Sequence, residues 1–150
     1  WGGGEEVEPE FGRLPAWEQP AAREYDYFLR ELTFNSKPVI NKLTMIAGEN
    51  RKACNGICFV IESRIALAPP RSKLPLLYLM DSIVKNIGNE YLNRFRQNIF
   101  KTYTTAYESS THDIRASMRR LLNTWTDYFG GGLCDLMWKK VQERDAREPP

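Results

Sequence analysis

The sequence predicts an all-α protein of about eight helices. Apolar residues recur at i, i+3, i+4 and i+7 along most of the chain, which is the period of helices that bury one face. No segment alternates apolar and polar residues for long enough to indicate a β-strand. The breaks between the periodic segments carry proline, glycine or capping residues, which end one helix and allow the next to begin.

Composition limits the classes of function. The chain has 150 residues, of which 42% are hydrophobic and 27% are charged, as expected for one globular domain. A net charge of +2 is too small to indicate nucleic acid or a membrane surface as a partner, so any anion site must be local. No apolar run approaches the roughly 18 residues of a membrane-spanning helix, and we expect no membrane contact. Because the chain begins at Trp1 and ends in two prolines, we expect a fragment of a larger protein.

The N-terminal third predicts a linker and two helices. Residues 1–20 hold four glycines and three prolines and lack a sustained period, so we expect a flexible linker there, with structure from residue 21. Helical spacing then indicates a first helix, whose buried face is Tyr25, Phe28, Leu29 and Leu32. Ser36 is a plausible N-cap of the second helix, with Pro38 in its first turn. The buried face of that second helix is Val39, Ile40, Leu43 and Ile46.

Six further helices complete the predicted order. A third helix covers about residues 51–67 and is stopped by two prolines, and the fourth ends at Gly88. A fifth begins near Asn89, and a sixth covers residues 99–107. A seventh reaches Trp125, and after three glycines an eighth ends near residue 143. The predicted domain therefore spans residues 21–143, followed by a C-terminal tail at 144–150.

The fourth helix carries the most informative pattern. It is apolar on almost every side and should lie in the centre of the domain. One narrow polar stripe interrupts it, because positions i, i+1, i+4 and i+5 share a face; its members are Asp81, Ser82, Lys85 and Asn86. A buried acid is costly unless it meets a partner. The stripe must therefore face either an internal polar network or a groove that receives a ligand, although Asp81 and Lys85 could also be a simple i, i+4 pair.

No pattern indicates catalysis, a metal or a cofactor. Glycine-rich phosphate loops, a G-x-S-x-G elbow and His-Glu-x-x-His are all absent from the sequence. The three cysteines, Cys54, Cys58 and Cys134, are best explained as core packing in a reducing compartment. A zinc site would need a further ligand, and His112 is the only histidine. We expect a protein that is not an enzyme.

Two short segments are candidate contacts for a ligand. Arg115 and Arg119 lie one turn apart on one helix face, a spacing that can hold a phosphate. A solvated basic face is the simpler interpretation of the same spacing. Likewise, Asn35 and Ser36 need do no more than cap the second helix.

Three stretches resemble a known family. These are LTFNSKPVINKLTMIAGE at residues 32–49, KLPLLYLMDSIVKNIG at 73–88, and the helix from Arg115 to Trp125. They are similar to the CTD-interacting domain (CID) of the large cleavage-factor subunit that couples pre-mRNA 3′-end cleavage to transcription termination. The resemblance covers about residues 21–143. Met80 stands where leucine is usual, a change that conserves volume.

The resemblance implies a right-handed superhelix of about eight helices, of the ENTH/VHS-like type. It implies a nuclear protein that binds the heptad tail of RNA polymerase II, Tyr-Ser-Pro-Thr-Ser-Pro-Ser, when the serine at position two is phosphorylated. Other cleavage and polyadenylation factors would bind regions outside this fragment. The peptide would lie in a groove formed by the second, fourth and seventh predicted helices.

The site residues implied by the resemblance come from those three helices. Asp81 would accept a hydrogen bond from the peptide tyrosine, and Arg115 would occupy the place of a phosphate-contacting arginine. The full set of expected peptide contacts is Asn35, Ser36, Lys37, Tyr78, Asp81, Val84, Lys85, Asn86, Arg115, Arg119 and Leu122.

Two alternatives belong to other functional classes. Eight-helix superhelices also serve as trafficking adaptors that bind sorting signals or phosphoinositides. That alternative requires a basic amphipathic N-terminal helix, whereas residues 1–20 contain one cation, Arg13, against five acids. Weak RNA binding through Arg115, Arg119 and Arg120 is the third hypothesis, opposed by the small net charge.

Overall fold

The computed structural model describes residues 7–148. Within that part of the chain there are eight α-helices, three short 3-10 helices and no strand. The α-helices are α1 (Gln19–Leu29), α2 (Lys37–Glu49), α3 (Cys54–Leu67), α4 (Pro70–Asn86), α5 (Asn89–Glu108), α6 (His112–Leu122), α7 (Thr126–Phe129) and α8 (Gly131–Ala146). The predicted all-α fold with about eight helices is confirmed.

The central position predicted for α4 is also confirmed. This helix packs against α2, α3, α5 and α6, and Leu76, Leu79, Met80 and Ile83 are fully buried along it. None of the helices described is long and apolar enough to cross a membrane.

Buried tyrosines join the helices by directed hydrogen bonds. Tyr25 donates to the carbonyl oxygen of Leu43 at 2.9 Å, which ties α1 to α2. Tyr91 donates to Ala47 O at 2.7 Å, and Tyr103 to Met118 O at 2.7 Å. Burial raises the pKa of all three hydroxyls above the ordinary tyrosine value, so they remain donors at neutral pH.

The cysteines pack in the core as predicted. Cys54, Cys58 and Cys134 are buried free thiols. Burial raises the pKa of Cys58 and Cys134. Within residues 7–148, no group of three or more His, Cys, Asp or Glu side chains is arranged to hold a metal ion.

Several predicted helix boundaries were wrong. The predicted fifth and sixth helices are one continuous helix, α5, because Tyr91, Phe95, Ile99 and Tyr103 form an uninterrupted i, i+4 stripe that is fully buried. The predicted seventh helix ends at Leu122 instead of running to Trp125. The short α7 follows it, and α8 begins directly after Gly130, whose φ of +93° suits glycine.

The N-terminal segment differs from the expected linker. Residues 11–13 and 16–18 form 3-10 helices, and Phe11 and Leu14 are buried in the core. The guanidinium of Arg23 lies over the Phe11 ring, 4.4 Å from its centroid. A 3-10 helix of three residues is too short to produce a hydrophobic period, so the pattern gave no sign of this packing. Residues 1–6 of the expected linker lie outside the described part of the chain.

The C-terminal tail expected at 144–150 is also partly structured. Helix α8 continues to Ala146, and Glu148 forms an ion pair with Arg115 of α6. The charged composition of this stretch reflects ion pairs to α5 and α6. Residues 149–150 lie beyond the described chain.

A buried ion pair fastens α1 to α3 and yields the first prediction. Arg64 donates to both carboxylate oxygens of Asp26, at 2.7 and 2.8 Å, and both side chains are almost fully buried. Removing one partner strands a buried charge. Asp26→Asn should therefore lower the free energy of unfolding by about 3–5 kcal/mol in urea denaturation.

The exposed pair of Lys42 with Glu31, at 3.3 Å, supplies the matched control. Glu31→Gln should change stability by less than about 1 kcal/mol, because water screens an exposed pair. Equal effects of the two substitutions would show that the Asp26 pair adds nothing beyond an ordinary surface contact.

Candidate functional site

The polar stripe on α4 is the candidate site. Its four members are Asp81, Ser82, Lys85 and Asn86, and they are the polar edge of a helix that is otherwise mostly buried. The Asp81 side chain is 19% exposed and that of Lys85 is 26% exposed. The stripe therefore reaches the surface between α2 on one side and the α6–α7 junction on the other.

One oxygen of the Asp81 carboxylate is anchored and the other is open. Oδ1 accepts a hydrogen bond from Trp125 Nε1 at 2.8 Å and lies 2.7 Å from Lys85 Nζ. Oδ2 receives no hydrogen bond from any residue of the described chain. A carboxylate can accept several hydrogen bonds, so Asp81 is held in place while keeping unused acceptor capacity.

Lys85 links the stripe to the end of α6. Its Nζ donates to Thr124 Oγ1 at 2.7 Å and lies 5.7 Å from the centroid of the Tyr128 ring. Together with the ion pair to Asp81, these contacts hold the ammonium over the α6–α7 junction.

Ser82 links the stripe to α2. Thr44 Oγ1 donates to Ile40 O at 2.7 Å, so the Ser82 hydroxyl is the donor in the 2.7 Å bond between Ser82 Oγ and Thr44 Oγ1. Asn86 Nδ2 donates to Ser82 O at 2.8 Å. The amide oxygen of Asn86 makes no hydrogen bond within residues 7–148, and this residue is exposed.

The segment before α2 combines a structural residue with two open ones. Ser36 is buried and accepts a 3.4 Å hydrogen bond from the amide of Val39, so it caps α2. Asn35 and Lys37 are exposed, and their side chains make no bond or ion pair with the described residues. Both can therefore contact a ligand without breaking an internal interaction.

Of the three apolar residues predicted to contact the peptide, one is partly exposed and two lie in the core. Tyr78 is half-buried and can present an edge to a ligand. Val84 and Leu122 are almost completely buried, so they support the surface from beneath.

Arg115 and Arg119 form no hydrogen bond or ion pair with the stripe within residues 7–148. Arg115 is 3% exposed, donates to Ser110 O at 2.5 Å and pairs with Glu148 of the α8 end. Arg119 donates to Tyr107 Oη at 2.8 Å and pairs with Asp145 at 3.3 Å. The hydrogen bond with Tyr107 raises the pKa of Arg119. In place of a solvated basic face, the two arginines form ion pairs with Glu148 and Asp145, and Arg119 also hydrogen-bonds Tyr107 of α5.

Trp125 belongs to the site but was not predicted from the sequence as part of it. Its ring is fully buried, and the pattern marked it only as the last apolar position of a helix. A buried indole N–H needs an acceptor. Asp81 was predicted to need a hydrogen-bond partner. The two unmet requirements, a donor for Asp81 and an acceptor for Trp125, could therefore have indicated this pair. Thr124, Tyr128 and Thr44 carried no comparable signal.

Comparison with known proteins gives the family. The family model described as the CID domain matches residues 26–129. Among solved structures, the RPR of Pcf11 superimposes with a TM-score of 0.76 and 31% sequence identity, covering 81% of this chain and 98% of that one. The chain belongs to the CID domain family, as its resemblance predicted.

Curated relatives agree with this assignment. An uncharacterised protein of Schizosaccharomyces pombe is 45% identical over 104 residues, which are 68% of this chain and 16% of that protein. Protein PCF11 of Saccharomyces cerevisiae is 35% identical over 111 residues, 74% of this chain and 18% of the relative. Polyadenylation and cleavage factor homolog 11 of Caenorhabditis elegans is 37% identical over 109 residues, 71% and 13% of the two chains. The chain thus spans less than a fifth of the length of these relatives.

The second prediction concerns the bond that positions Asp81. A double-mutant cycle of Trp125→Phe and Asp81→Ala should give a coupling free energy of about 1.5–3 kcal/mol, the range for a hydrogen bond to a charged group. The cycle cancels the loss of packing that Trp125→Phe causes alone. Urea denaturation of the four proteins provides the measurement.

A second cycle of Trp125→Phe with Lys139→Ala is the control, because Lys139 is exposed and bonded to no described side chain. Its coupling should stay within about 0.5 kcal/mol. Coupling equally small in both cycles would contradict a stabilising bond between the indole and Asp81.

Proposed function

We propose that this chain binds the heptad tail of RNA polymerase II, phosphorylated on the serine at position two. The observation that supports it most is the unbonded Oδ2 of Asp81, on a side chain that is 19% exposed and is held in place by the bonds to Oδ1. The hydroxyl of the heptad tyrosine donates to Oδ2. Oδ2 is an acceptor on a half-buried acid, and no described residue of the chain donates a hydrogen bond to it.

Neighbouring groups complete the proposed contact. The side chains of Asn35 and Lys37 are exposed and unbonded within the described chain, so they contact peptide carbonyls or the phosphate. The amide oxygen of Asn86 accepts from a peptide N–H, and Tyr78 packs on a heptad proline. Prolines keep the peptide extended before it binds, which lowers the entropic cost. We expect micromolar affinity, about 8 kcal/mol, for one or two repeats, and many repeats raise the effective concentration.

The relatives suggest where this binding is used. The name of the Caenorhabditis elegans relative describes that protein as a polyadenylation and cleavage factor. We propose that this chain is the polymerase-binding module of a longer nuclear protein in mRNA 3′-end processing and termination. It acts by binding and not by catalysis, and other processing factors bind elsewhere on that protein.

The third prediction tests Asp81 directly. Asp81→Asn keeps a side-chain oxygen for the indole of Trp125 but loses the charge that strengthens the tyrosine hydrogen bond. Affinity for a fluorescent two-repeat peptide phosphorylated at position two should fall by about 10-fold or more, measured by anisotropy.

Glu24→Gln is the matched control, since it removes one acidic charge from an exposed position on α1 and should leave affinity unchanged. If Asp81→Asn binds the peptide as tightly as this control, the tyrosine contact is wrong.

The fourth prediction tests the role of Arg115. Its guanidinium can reach a phosphate only after Glu148 releases it. Glu148 is 38% exposed on its side chain, so Glu148→Gln should preserve the fold. If Arg115 contacts the phosphate, this variant should bind the phosphorylated peptide about 3- to 10-fold more tightly, because a competing carboxylate is gone.

The unphosphorylated peptide provides the comparison, and its affinity should not change. An equal effect on both peptides, or none on either, would show that Arg115 is structural and that exposed cations such as Lys37 carry the phosphate contact.

A further inference from the structure

A second cleft, of about 380 Å³, lies between α3 and α5. It shares no residue with the α4 stripe or with the segment before α2. Phe59 and Ala66 give it an accessible apolar wall, whereas Ile65 and Ala106 are almost fully buried, and cations from three parts of the chain surround that wall. An apolar pocket with a few polar groups around it is the usual form of a ligand site.

The cations of this cleft outnumber its acids. Among the described residues, Arg13, Lys73, Arg94 and Lys101 line it with one carboxylate, Glu62. The formal charge of this described lining is therefore +3, more than the +2 of the whole chain. Burial lowers the pKa of Lys73, but the other three cations are enough to leave the cleft positive.

The single acid is already engaged inside the cleft. Glu62 accepts hydrogen bonds from Arg94 at 3.1 Å and from Asn98 at 3.2 Å. In contrast, the exposed side chains of Arg13 and Lys101 form no ion pair or hydrogen bond with the described residues. Two exposed cations therefore lie beside an apolar wall with no ion-pair partner among the described residues.

Lys73 fixes a further positive charge at the end of α3. It is buried, and its Nζ donates to Ile65 O at 2.5 Å and to Ala66 O at 3.2 Å. Carbonyls at a helix C-terminus stabilise a cation, yet they do not cancel its full charge. No carboxylate of the described chain pairs with it.

A larger cleft between α5 and α8, of about 700 Å³, shows the contrast. Its two cations are matched by its two acids, because Lys140 lies 3.7 Å from Glu143 and Arg147 lies 2.7 Å from Glu108. The size of a cleft therefore does not by itself identify a ligand site in this chain. The smaller cleft differs in having cations that are not paired with carboxylates of the described residues.

We infer that the α3–α5 cleft binds an acidic peptide segment that carries an apolar side chain. The apolar side chain packs on the wall at Phe59 and Ala66, and flanking carboxylates pair with Arg13 and Lys101. Single-stranded nucleic acid is the less suitable ligand, because its binding sites stack successive bases on several aromatic rings, and Phe59 is the one ring among the described residues that line this cleft. Since the two sites share no residue, an acidic partner protein can dock here while the α4 stripe is occupied.

The fifth prediction is tested by a titration of the ¹⁵N-labelled chain. The probe is a ten-residue peptide of Glu and Asp with one central Leu and one Phe. Amide shifts should change at Ser63, Ala66, Lys101 and Thr102 and stay constant at Asp81. The double variant Arg13→Gln/Lys101→Gln should weaken binding about tenfold at low salt, because two charge contacts are lost.

Matched controls separate this site from simple charge attraction. Lys52→Gln/Lys139→Gln removes the same charge from exposed residues with no partner in the described chain and should leave affinity nearly unchanged. A peptide with Ser in place of Leu and Phe should bind more weakly than the probe. Equal weakening by the two double variants, or equal binding of the two peptides, would overturn the proposal.

Two further arms test the alternative ligand and the independence of the sites. Tighter binding of a ten-nucleotide oligouridylate at the same amides, with steep salt dependence, would overturn the peptide proposal in favour of RNA. The phosphorylated heptad peptide should bind the Arg13→Gln/Lys101→Gln variant normally. Loss of heptad binding in that variant would contradict two separate sites, whereas failure of heptad binding in the unmodified chain would refute only the proposed function.

Discussion

The hydrogen bond from the Trp125 indole to Asp81 is the interaction on which the candidate site depends. The ring of Trp125 is fully buried and packs edge-on against Tyr103 and Phe129, with centroids 5.5 and 5.2 Å away. Because these contacts fix the ring, they also fix the direction of its N–H. Asp81 meets that donor from the centre of α4. The orientation of the carboxylate is therefore a consequence of core packing and does not rely on a mobile loop.

The same constraint explains how the rest of the stripe is used. A buried helix cannot leave polar side chains without partners, so each flanking element satisfies one of them. Ser82 is hydrogen-bonded to Thr44 of α2, and Lys85 is hydrogen-bonded to Thr124 of the α6–α7 junction. The acceptors that remain without a hydrogen bond within residues 7–148 are Asp81 Oδ2 and the Asn86 amide oxygen, and they belong to a partly exposed and an exposed residue. The polar side chains of the stripe are thus held in place by neighbouring elements while two acceptor oxygens lack hydrogen bonds, as expected of a preorganised binding surface.

Local pattern predicted the helices better than it predicted the partners of their charged residues. The apolar faces of α2 and α4, the cap at Ser36 and the polar stripe depend on residues within a few positions of one another, and such signals are visible in the sequence. The ion-pair partners of Arg115 and Arg119 are Glu148, just after α8, and Asp145, in α8, which lie 33 and 26 residues further along, and no local period encodes that approach. Phe11 was missed for a related reason, because its 3-10 helix has no amphipathic face to recognise.

The internal pairing of Arg115 limits how strongly the chain can select a phosphorylated ligand there. A phosphate at this guanidinium would replace the Glu148 carboxylate instead of filling an empty site. The binding free energy gained at Arg115 is therefore the difference between its interaction with the phosphate and its interaction with Glu148, reduced by the cost of freeing Glu148. A phosphate carries about 1.5–2 negative charges against one for a carboxylate, so that difference is modest. Exposed cations with no partner in the described chain, such as Lys37, can bind a phosphate without first losing a carboxylate partner. Strong selection for phosphate would therefore have to come from them, while the proposed contact of Asp81 with the tyrosine would be the same in either phosphorylation state.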